Sequence, residues 1–149
     1  MTASQPGAVS PVPGHLHTVT PRLVVADGAA AIAFYTRAFG LTVGRRLGTH
    51  WAELLGAPLP IDLLHERAGT TPIPDPAVRR SYARHWTPVH LDVAVKDVEQ
   101  AIERATQAGA TLERPIQDKK WGRLANLADP FGNGVCLLEF RGRGYDELI

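Results

Sequence analysis

The pattern of apolar and polar residues predicts two successive series of helices and strands, and their order along the chain is the same in both series. In the first series, the β-branched run Thr20-Pro-Arg-Leu-Val-Val-Ala-Asp27 precedes an Ala-rich stretch from Ala29 to Phe39 with apolar residues at helical spacing. Asp27 is a good N-cap for this predicted helix, and Gly40 is a good stop. Three short apolar runs at 41–47, 50–55 and 60–65 are predicted strands, so the series reads βαβββ.

The second series repeats this order 70 residues later. The run His90-Leu-Asp-Val-Ala-Val-Lys-Asp97 precedes a predicted helix that ends at Gly109, and Asp97 takes the capping position of Asp27. Predicted strands follow at 111–114, 121–128 and 134–140. Two copies of one unit predict a duplicated fold with a pseudo-two-fold axis and a cleft near it. The identical pairs are Val25/Val95, Asp27/Asp97, Ala31/Ala101, Ile32/Ile102, Thr36/Thr106 and Ala38/Ala108.

The distribution of Pro, Gly and polar residues divides the chain into five segments. A flexible N-terminal tail is predicted at 1–17, the first βαβββ module at 18–66 and the second at 89–141. The Pro- and Arg-rich segment 67–88 is predicted to link the modules, with one short helix around 77–84. Residues 142–149 form a predicted C-terminal tail.

Composition narrows the class of protein. With 44% hydrophobic residues and a formal net charge of +1, the chain has the composition of an ordinary globular protein. It shows no basic stripe with interleaved aromatics and no long apolar run, so neither nucleic acid nor a membrane is an expected partner. The single Cys136 excludes an intrachain disulfide, and the first residues lack the pattern of a signal peptide. A cytoplasmic location is therefore predicted.

The duplication and two local motifs resemble the vicinal oxygen chelate superfamily. The motifs are the turn Asp129-Pro-Phe-Gly-Asn133 before the last strand and the helix start Ala31-Ile-Ala-Phe-Tyr35. This superfamily includes glyoxalase I, bleomycin-resistance proteins, extradiol dioxygenases and fosfomycin-resistance enzymes. The resemblance implies an α+β fold in which two βαβββ modules form an eight-stranded, cup-shaped mixed sheet around a small-molecule site. It also implies a homodimer.

Metal-dependent members of the superfamily carry four ligands, two per module. Their positions correspond to Thr20, Asp62, His90 and Cys136, and only His90 is a standard match to the family pattern. We therefore expect no metal and no other cofactor. If a divalent ion such as Zn, Fe, Ni or Mn binds, its predicted ligands are Asp62, His90 and Cys136. Glu139 is expected on the opposite face of the last strand from Cys136.

Aromatic and charged residues near the strands are the remaining ligand candidates. Trp51, Trp86 and Trp121 are suited either to stacking on a flat ligand or to core and dimer packing. Arg22 and Asp92 hold equivalent positions in the two modules, where they either face a ligand or pair with each other across the two strands. The predicted ligand-binding residues are Arg22, Trp51, Asp62, His90, Asp92, Trp121 and Cys136.

Three functions are compatible with these patterns. The leading hypothesis is a binding protein that holds a small hydrophobic or aromatic molecule in its cup without a full metal site, as drug-sequestering resistance proteins do. The alternative is a lyase, isomerase, epimerase or dioxygenase of the same fold that uses His90 as acid or base, with or without a divalent metal. A purely structural or regulatory dimer, whose cup is filled by side chains, is the third.

Overall fold

The computed structural model describes residues 20–86 and 89–149, and both halves have the predicted βαβββ order. The predicted tail at 1–17 lies outside the described residues. The first half contains β1 (Arg22–Val25), α1 (Gly28–Phe39), β2 (Thr42–Leu47), β3 (Trp51–Leu55) and β4 (Ile61–His65). The second contains β5 (Leu91–Ala94), α2 (Val98–Gln107), β6 (Thr111–Lys119), β7 (Gly122–Ala128) and β8 (Gly134–Phe140), followed by a 3₁₀ helix at Gly144–Leu148.

Both α-helices begin at the predicted aspartates. The Asp27 side chain accepts a hydrogen bond from the Ala30 amide at 3.0 Å, and Asp97 accepts one from the Gln100 amide at 2.9 Å. Each carboxylate thus satisfies one amide that the first helical turn leaves without a backbone partner. At the other end of α1, Gly40 adopts the left-handed conformation with φ of 68°, which confirms the predicted stop.

The eight strands form two four-stranded mixed sheets, ordered β1-β4-β3-β2 and β5-β8-β7-β6. In each sheet the first strand pairs in parallel with the last, and the other neighbours are antiparallel. This confirms the α+β fold of two modules, but within the described residues the strands do not form one continuous eight-stranded sheet. The reason is that β1 and β5 are edge strands, each paired on one side only.

The two modules are joined through their helices. The Phe34 and Phe131 rings lie 5.8 Å apart, and the Tyr35 hydroxyl donates to Asp129 at 2.6 Å, so α1 contacts the turn before β8. The helices also pack on each other through alanines such as Ala31 and Ala101, both fully buried. A single apolar core therefore lies in the helix layer, between the two sheets.

Strand alternation gives each sheet one face toward the helices and one open face. Val25 and Leu63 are buried in the core, whereas their neighbours Arg22 and Asp62 lie on the opposite face. The same alternation separates Leu137 from Cys136 in the second sheet. The side chains of each open face are the ones available to a ligand.

The segment between the modules has a different structure from the one expected. No helix forms around 77–84; residues 66–86 form turns, bends and irregular chain. The chain turns at Asp75 instead, where the side chain accepts from the Ala77 amide at 2.9 Å and the carbonyl accepts from the Val78 amide at 3.1 Å. The segment instead lies against the turn before β8, where the His85 amide donates to the Gly132 carbonyl at 3.0 Å. Among the described residues, neither α-helix is long and apolar enough to span a membrane.

Candidate functional site

Four polar side chains form a row across the open face of the second sheet. Asp92 on β5 is in register with Cys136 on β8, Cys136 with Asn126 on β7, and Asn126 with Arg114 on β6. Residues in register on neighbouring strands point to the same face, so all four line the same surface. Asp92 and Arg114 are exposed at the ends of this row, and Cys136 is buried in its middle.

His90, Asp92 and Cys136 are brought together at the β5 end of the row. His90 Nε2 lies 3.2 Å from an Asp92 carboxylate oxygen, and one possible ligand atom from each of the three residues lies within 4.8 Å of the others. The Asn126 amide donates to the Cys136 sulfur at 3.2 Å. Burial, and next the Asp92 carboxylate, raise the pKa of the Cys136 thiol to about 11, so it is protonated at neutral pH.

The Trp86 indole covers one end of the same face. Its Nε1–H donates to Glu113 at 2.7 Å, and the Arg84 guanidinium pairs with the same carboxylate and lies 4.7 Å from the indole centroid. The ring packs directly on Gly134, where an added Cβ would overlap it. His90 approaches edge-on, with a centroid distance of 5.4 Å. A glycine in the strand thus provides the space that the indole occupies.

A cavity of about 280 Å³ opens beside this indole, bounded by Trp86, Glu113, Arg114 and Asn126. Arg114 makes no hydrogen bond or ion pair with any residue that the structure describes. Asn126 Oδ1 is buried and has no donor within the described residues. An unsatisfied buried acceptor is costly, so a ligand donor that reaches Asn126 Oδ1 after a small movement of this side chain would be favoured here.

An aromatic cluster closes the other end of the face. The Tyr145 ring lies 4.9 Å from Phe140 and 5.1 Å from Trp121, between centroids. Partial burial, and next the Asp92 carboxylate, raise the pKa of Tyr145. Trp121, predicted to bind ligand, therefore packs within the chain.

The first sheet carries a different row on its open face. Arg22 donates to Asp62 at 3.0 Å, and Arg45 pairs with Glu53 at 2.6 Å. The hydrogen bonds from Arg45 lower the pKa of Glu53. The predicted pairing of Arg22 with Asp92 is wrong, because equivalent positions in the repeat lie in separate sheets and Asp62 is the in-register neighbour of Arg22.

Trp51, also predicted to bind ligand, lies on β3 of the first sheet with the Arg45 guanidinium 5.9 Å from its ring centroid. It is thus separated from the row that contains His90 and Cys136. Within one chain, the structure brings together His90, Asp92 and Cys136 from the predicted ligand set, and leaves Arg22, Trp51 and Asp62 on the other sheet.

The family's four metal positions do not fit a metal ion in this chain. Thr20 offers a poor donor, and Asp62 is held by Arg22 on the first sheet, so the predicted set of Asp62, His90 and Cys136 is not assembled. Asp92 takes the place of Asp62 beside His90 and Cys136. That imidazole, carboxylate and thiol set fits a soft divalent ion such as Zn²⁺, with the thiol bound as thiolate.

The sequence interpretation missed three residues that shape this face, Arg114, Asn126 and Tyr145, and named Trp86 without placing it there. Arg114 and Asn126 follow from the register of β6 and β7 on β8, which the turn at 129–133 fixes. Trp86 is only one of three candidate indoles in the sequence, and its contact with Gly134 crosses 48 positions of sequence. Tyr145 belongs to a segment predicted to be a tail, and no local pattern there signals its return to the sheet.

Comparison with known proteins agrees with this architecture. An uncharacterized protein of Mycobacterium bovis is 35% identical over 120 residues, which are 77% of this chain and 78% of that protein. The anthracycline biosynthesis protein DauV of Streptomyces sp. strain C5 is 30% identical over 138 residues, 89% of this chain but 44% of DauV.

A crystal structure from Burkholderia phytofirmans PsJN, described as a glyoxalase/bleomycin resistance protein/dioxygenase family enzyme, superposes with a TM-score of 0.63. Its sequence is 18% identical, and the match covers 82% of this chain and 97% of that one, so it shows the shared fold. The family described as a glyoxalase-like domain matches residues 19–138. The chain therefore belongs to the glyoxalase-like domain family, within the vicinal oxygen chelate superfamily.

Proposed function

We propose that this protein binds a flat aromatic molecule on the open face of its second sheet, without requiring a metal ion. The observation that carries the proposal is the cavity of about 280 Å³ between the Trp86 indole and Arg114, with the unsatisfied Asn126 Oδ1 in its wall. An aromatic wall with a few polar groups at fixed positions is typical of small-molecule sites.

The polar groups define the chemistry of the ligand. Asn126 Oδ1 calls for a hydroxyl or amine donor, and Arg114 calls for a carbonyl, phenolate or carboxylate acceptor. Trp86 supplies an aromatic wall of the cavity, and the Glu113 hydrogen bond fixes its orientation before the ligand arrives. A hydroxylated aromatic molecule with a carbonyl or acidic group meets all three conditions. The similarity to an anthracycline biosynthesis protein supports this class of ligand.

A calorimetric titration of the protein with 1,4-dihydroxyanthraquinone tests the proposal. We expect saturable binding that Trp86→Ala weakens by about tenfold or more, because an aromatic wall of the cavity is lost. Trp121→Phe is the matched control, since it alters an indole in the cluster with Phe140 and Tyr145, and it should leave the affinity within about twofold. Equal affinity in the Trp86→Ala variant would contradict the assignment of the site.

A homodimer is the second part of the proposal. β1 and β5 are edge strands, and exposed edges of sheets are usually covered. The open faces of the two sheets also carry exposed apolar side chains, among them Leu47 in the first sheet and Phe140 in the second. Analytical ultracentrifugation should give a dimer mass for the wild type and a monomer for an Ala94→Lys variant of β5. A wild-type monomer at high concentration would refute this part.

Metal-assisted catalysis is the competing function, and the triad of His90, Asp92 and Cys136 is the observation that favours it. These residues would hold a soft divalent ion, which when bound would polarise a substrate oxygen. Without a metal, His90, oriented by Asp92 at 3.2 Å, would accept or donate the proton.

Metal content of protein purified without chelator, measured on the wild type and on His90→Ala, separates the two functions. Binding without a metal predicts a substoichiometric metal content in both proteins. About one equivalent in the wild type, lost in His90→Ala, would instead establish a metal centre with His90 as ligand. The cytoplasmic location stays a prediction from sequence.

A further inference from the structure

A second cavity lies on the helix-facing side of the first sheet, between that sheet and the start of α1. Its volume is about 290 Å³. Ile32, Ala52 and Leu63 form an apolar floor, and Arg46, His50 and His65 surround it. Arg46 makes no hydrogen bond or ion pair within the described part of the chain. The cavity is separate from the open face on which the proposed aromatic ligand binds.

The internal duplication shows what fills this position in the second module. Glu139 on β8 accepts a hydrogen bond from the Val98 amide at 2.9 Å and pairs with Arg123, which also pairs with Glu99. These contacts hold the Glu139 carboxylate against the first residue of α2, and they lower its pKa to about 2. A carboxylate, a cation and a Val side chain thus occupy the space beneath the start of α2.

The first module has different residues at each equivalent position. His65 corresponds to Glu139, and His50, whose carbonyl accepts from the His65 amide at 2.7 Å, corresponds to Arg123. At the start of the helix, Gly28 and Ala29 correspond to Val98 and Glu99. At each of these positions the first module lacks either the volume or the charge that fills the equivalent space beneath α2 in the second module. The His65 ring stays beside Gly28, where an added Cβ would lie 3.9 Å from His65 Cγ.

We propose that this cavity, bounded by Arg46, His50 and His65, binds a small aromatic or branched carboxylate as a second ligand site. The ligand's carboxylate would take the position that the Glu139 side chain has in the other module. Arg46 and the imidazole N–H groups are its donors, and the floor of Ile32, Ala52 and Leu63 receives its apolar part. The Asp27 carboxylate at the rim is engaged as the α1 cap, which limits its repulsion of an anion.

The size and polarity of the cavity set the class of ligand. A volume of about 290 Å³ with a mainly apolar lining and a cation at its edge suits a single-ring carboxylate. Inorganic phosphate would leave the apolar floor uncovered. Benzoate is therefore the appropriate probe, and benzyl alcohol, which has the ring but no charge, is the comparison compound.

Titration of the full-length ¹⁵N-labelled protein with benzoate tests this proposal. We expect saturable shifts of the Gly28, Ala29 and His50 amides, with benzyl alcohol binding about tenfold more weakly or worse. Arg46→Gln should weaken benzoate binding by about tenfold, whereas Arg37→Gln, which removes a charge from the last turn of α1, should not change it.

A transplant of the second module's residues provides a stricter test. The double variant His50→Arg, His65→Glu should close the cavity with an internal ion pair, remain folded and lose the benzoate-induced shifts. Trp86→Ala should leave those shifts intact, because that indole belongs to the other site. Benzoate binding that is absent in the wild type, or that survives unchanged in both Arg46→Gln and the folded double variant, would overturn the proposal.

Discussion

The Tyr35 hydroxyl donates a hydrogen bond of 2.6 Å to the Asp129 carboxylate, across 94 residues of sequence and between the two modules. Both residues are buried, and Asp129 also accepts from the Phe131 and Asn133 amides. The aspartate that shapes the turn before β8 is thus the same residue that anchors α1. Burial, and next Asp129, raise the pKa of Tyr35 well above its usual value, so the hydroxyl keeps its proton.

Loss of this hydroxyl should destabilise the protein. Tyr35→Phe removes the donor and leaves the Asp129 oxygen buried with one partner fewer, so we expect the free energy of unfolding to fall by about 1–3 kcal/mol. Urea denaturation followed by circular dichroism measures this change. Tyr145→Phe, at an exposed tyrosine, is the control and should stay within about 0.5 kcal/mol of wild type. An unchanged midpoint for Tyr35→Phe would show that the bond adds no net stability.

The contact between Trp86 and Gly134 gives a second prediction. Gly134→Ala places a methyl group where the indole lies, so the indole must move and the cavity beside it changes shape. We expect 1,4-dihydroxyanthraquinone to bind about tenfold more weakly, as it does to Trp86→Ala. Because both changes act through one contact, Gly134→Ala should have little further effect in the Trp86→Ala background. Additive losses in this double-mutant cycle would argue against the assigned contact.

The ion pairs of Glu139 predict how stability varies with pH. The hydrogen bond from Arg123, and next that from the Val98 amide, lower the pKa of Glu139 from 4.5 to about 2 in the folded protein. A lowered folded-state pKa means that the stabilisation is complete above about pH 4.5 and is lost as the pH falls toward 2. Glu139→Gln should therefore be less stable at neutral pH and show a shallower decline over this range.

Unfolding measured at several pH values checks this prediction. Asp146→Asn, at an exposed carboxylate near the C-terminus, should follow the wild-type curve. Wild-type and Glu139→Gln curves that stay parallel down to low pH would contradict the role of this carboxylate.

The thiol of Cys136 should react slowly. Burial, and next the negative charge of Asp92, hold its pKa near 11, so the thiolate fraction at pH 8 is small. Asp92→Asn removes that charge and should increase the rate of iodoacetamide labelling at pH 8, whereas Asp118→Asn, at an exposed carboxylate in the same sheet, should not. A labelling rate that does not respond to Asp92→Asn would show that burial alone sets the reactivity.

Much of the fold could be predicted because its signals are local. Asp27 and Asp97 cap their helices as expected, and the strand order follows from the repeat. The helix expected at 77–84 does not form; the chain turns at Asp75 and is held at its far end by the contact of His85 with Gly132. The placement of the two sheets relative to each other depends on long-range packing between α1 and α2, for which the sequence carries no local signal.

The site was only partly predictable for a related reason. The superfamily's metal positions pointed to His90 and Cys136, which the structure brings together, and strand alternation correctly placed Glu139 on the other face. The same symmetry led to the wrong pairing of Arg22 with Asp92, since equivalence within a repeat is not proximity. The position of Trp86 depends on a linker that folds back over Gly134, and this contact is set by tertiary structure alone.

The most direct test of the account is an NMR titration of ¹⁵N-labelled, chelator-treated protein with 1,4-dihydroxyanthraquinone, read at the Trp86 indole N–H and the Asn126 side-chain amide. We expect both signals to shift saturably in the absence of any metal ion, while the Trp121 indole signal moves little. If neither signal shifts, or if both shift only after Zn²⁺ is added, a metal-independent binding site on the second sheet is contradicted.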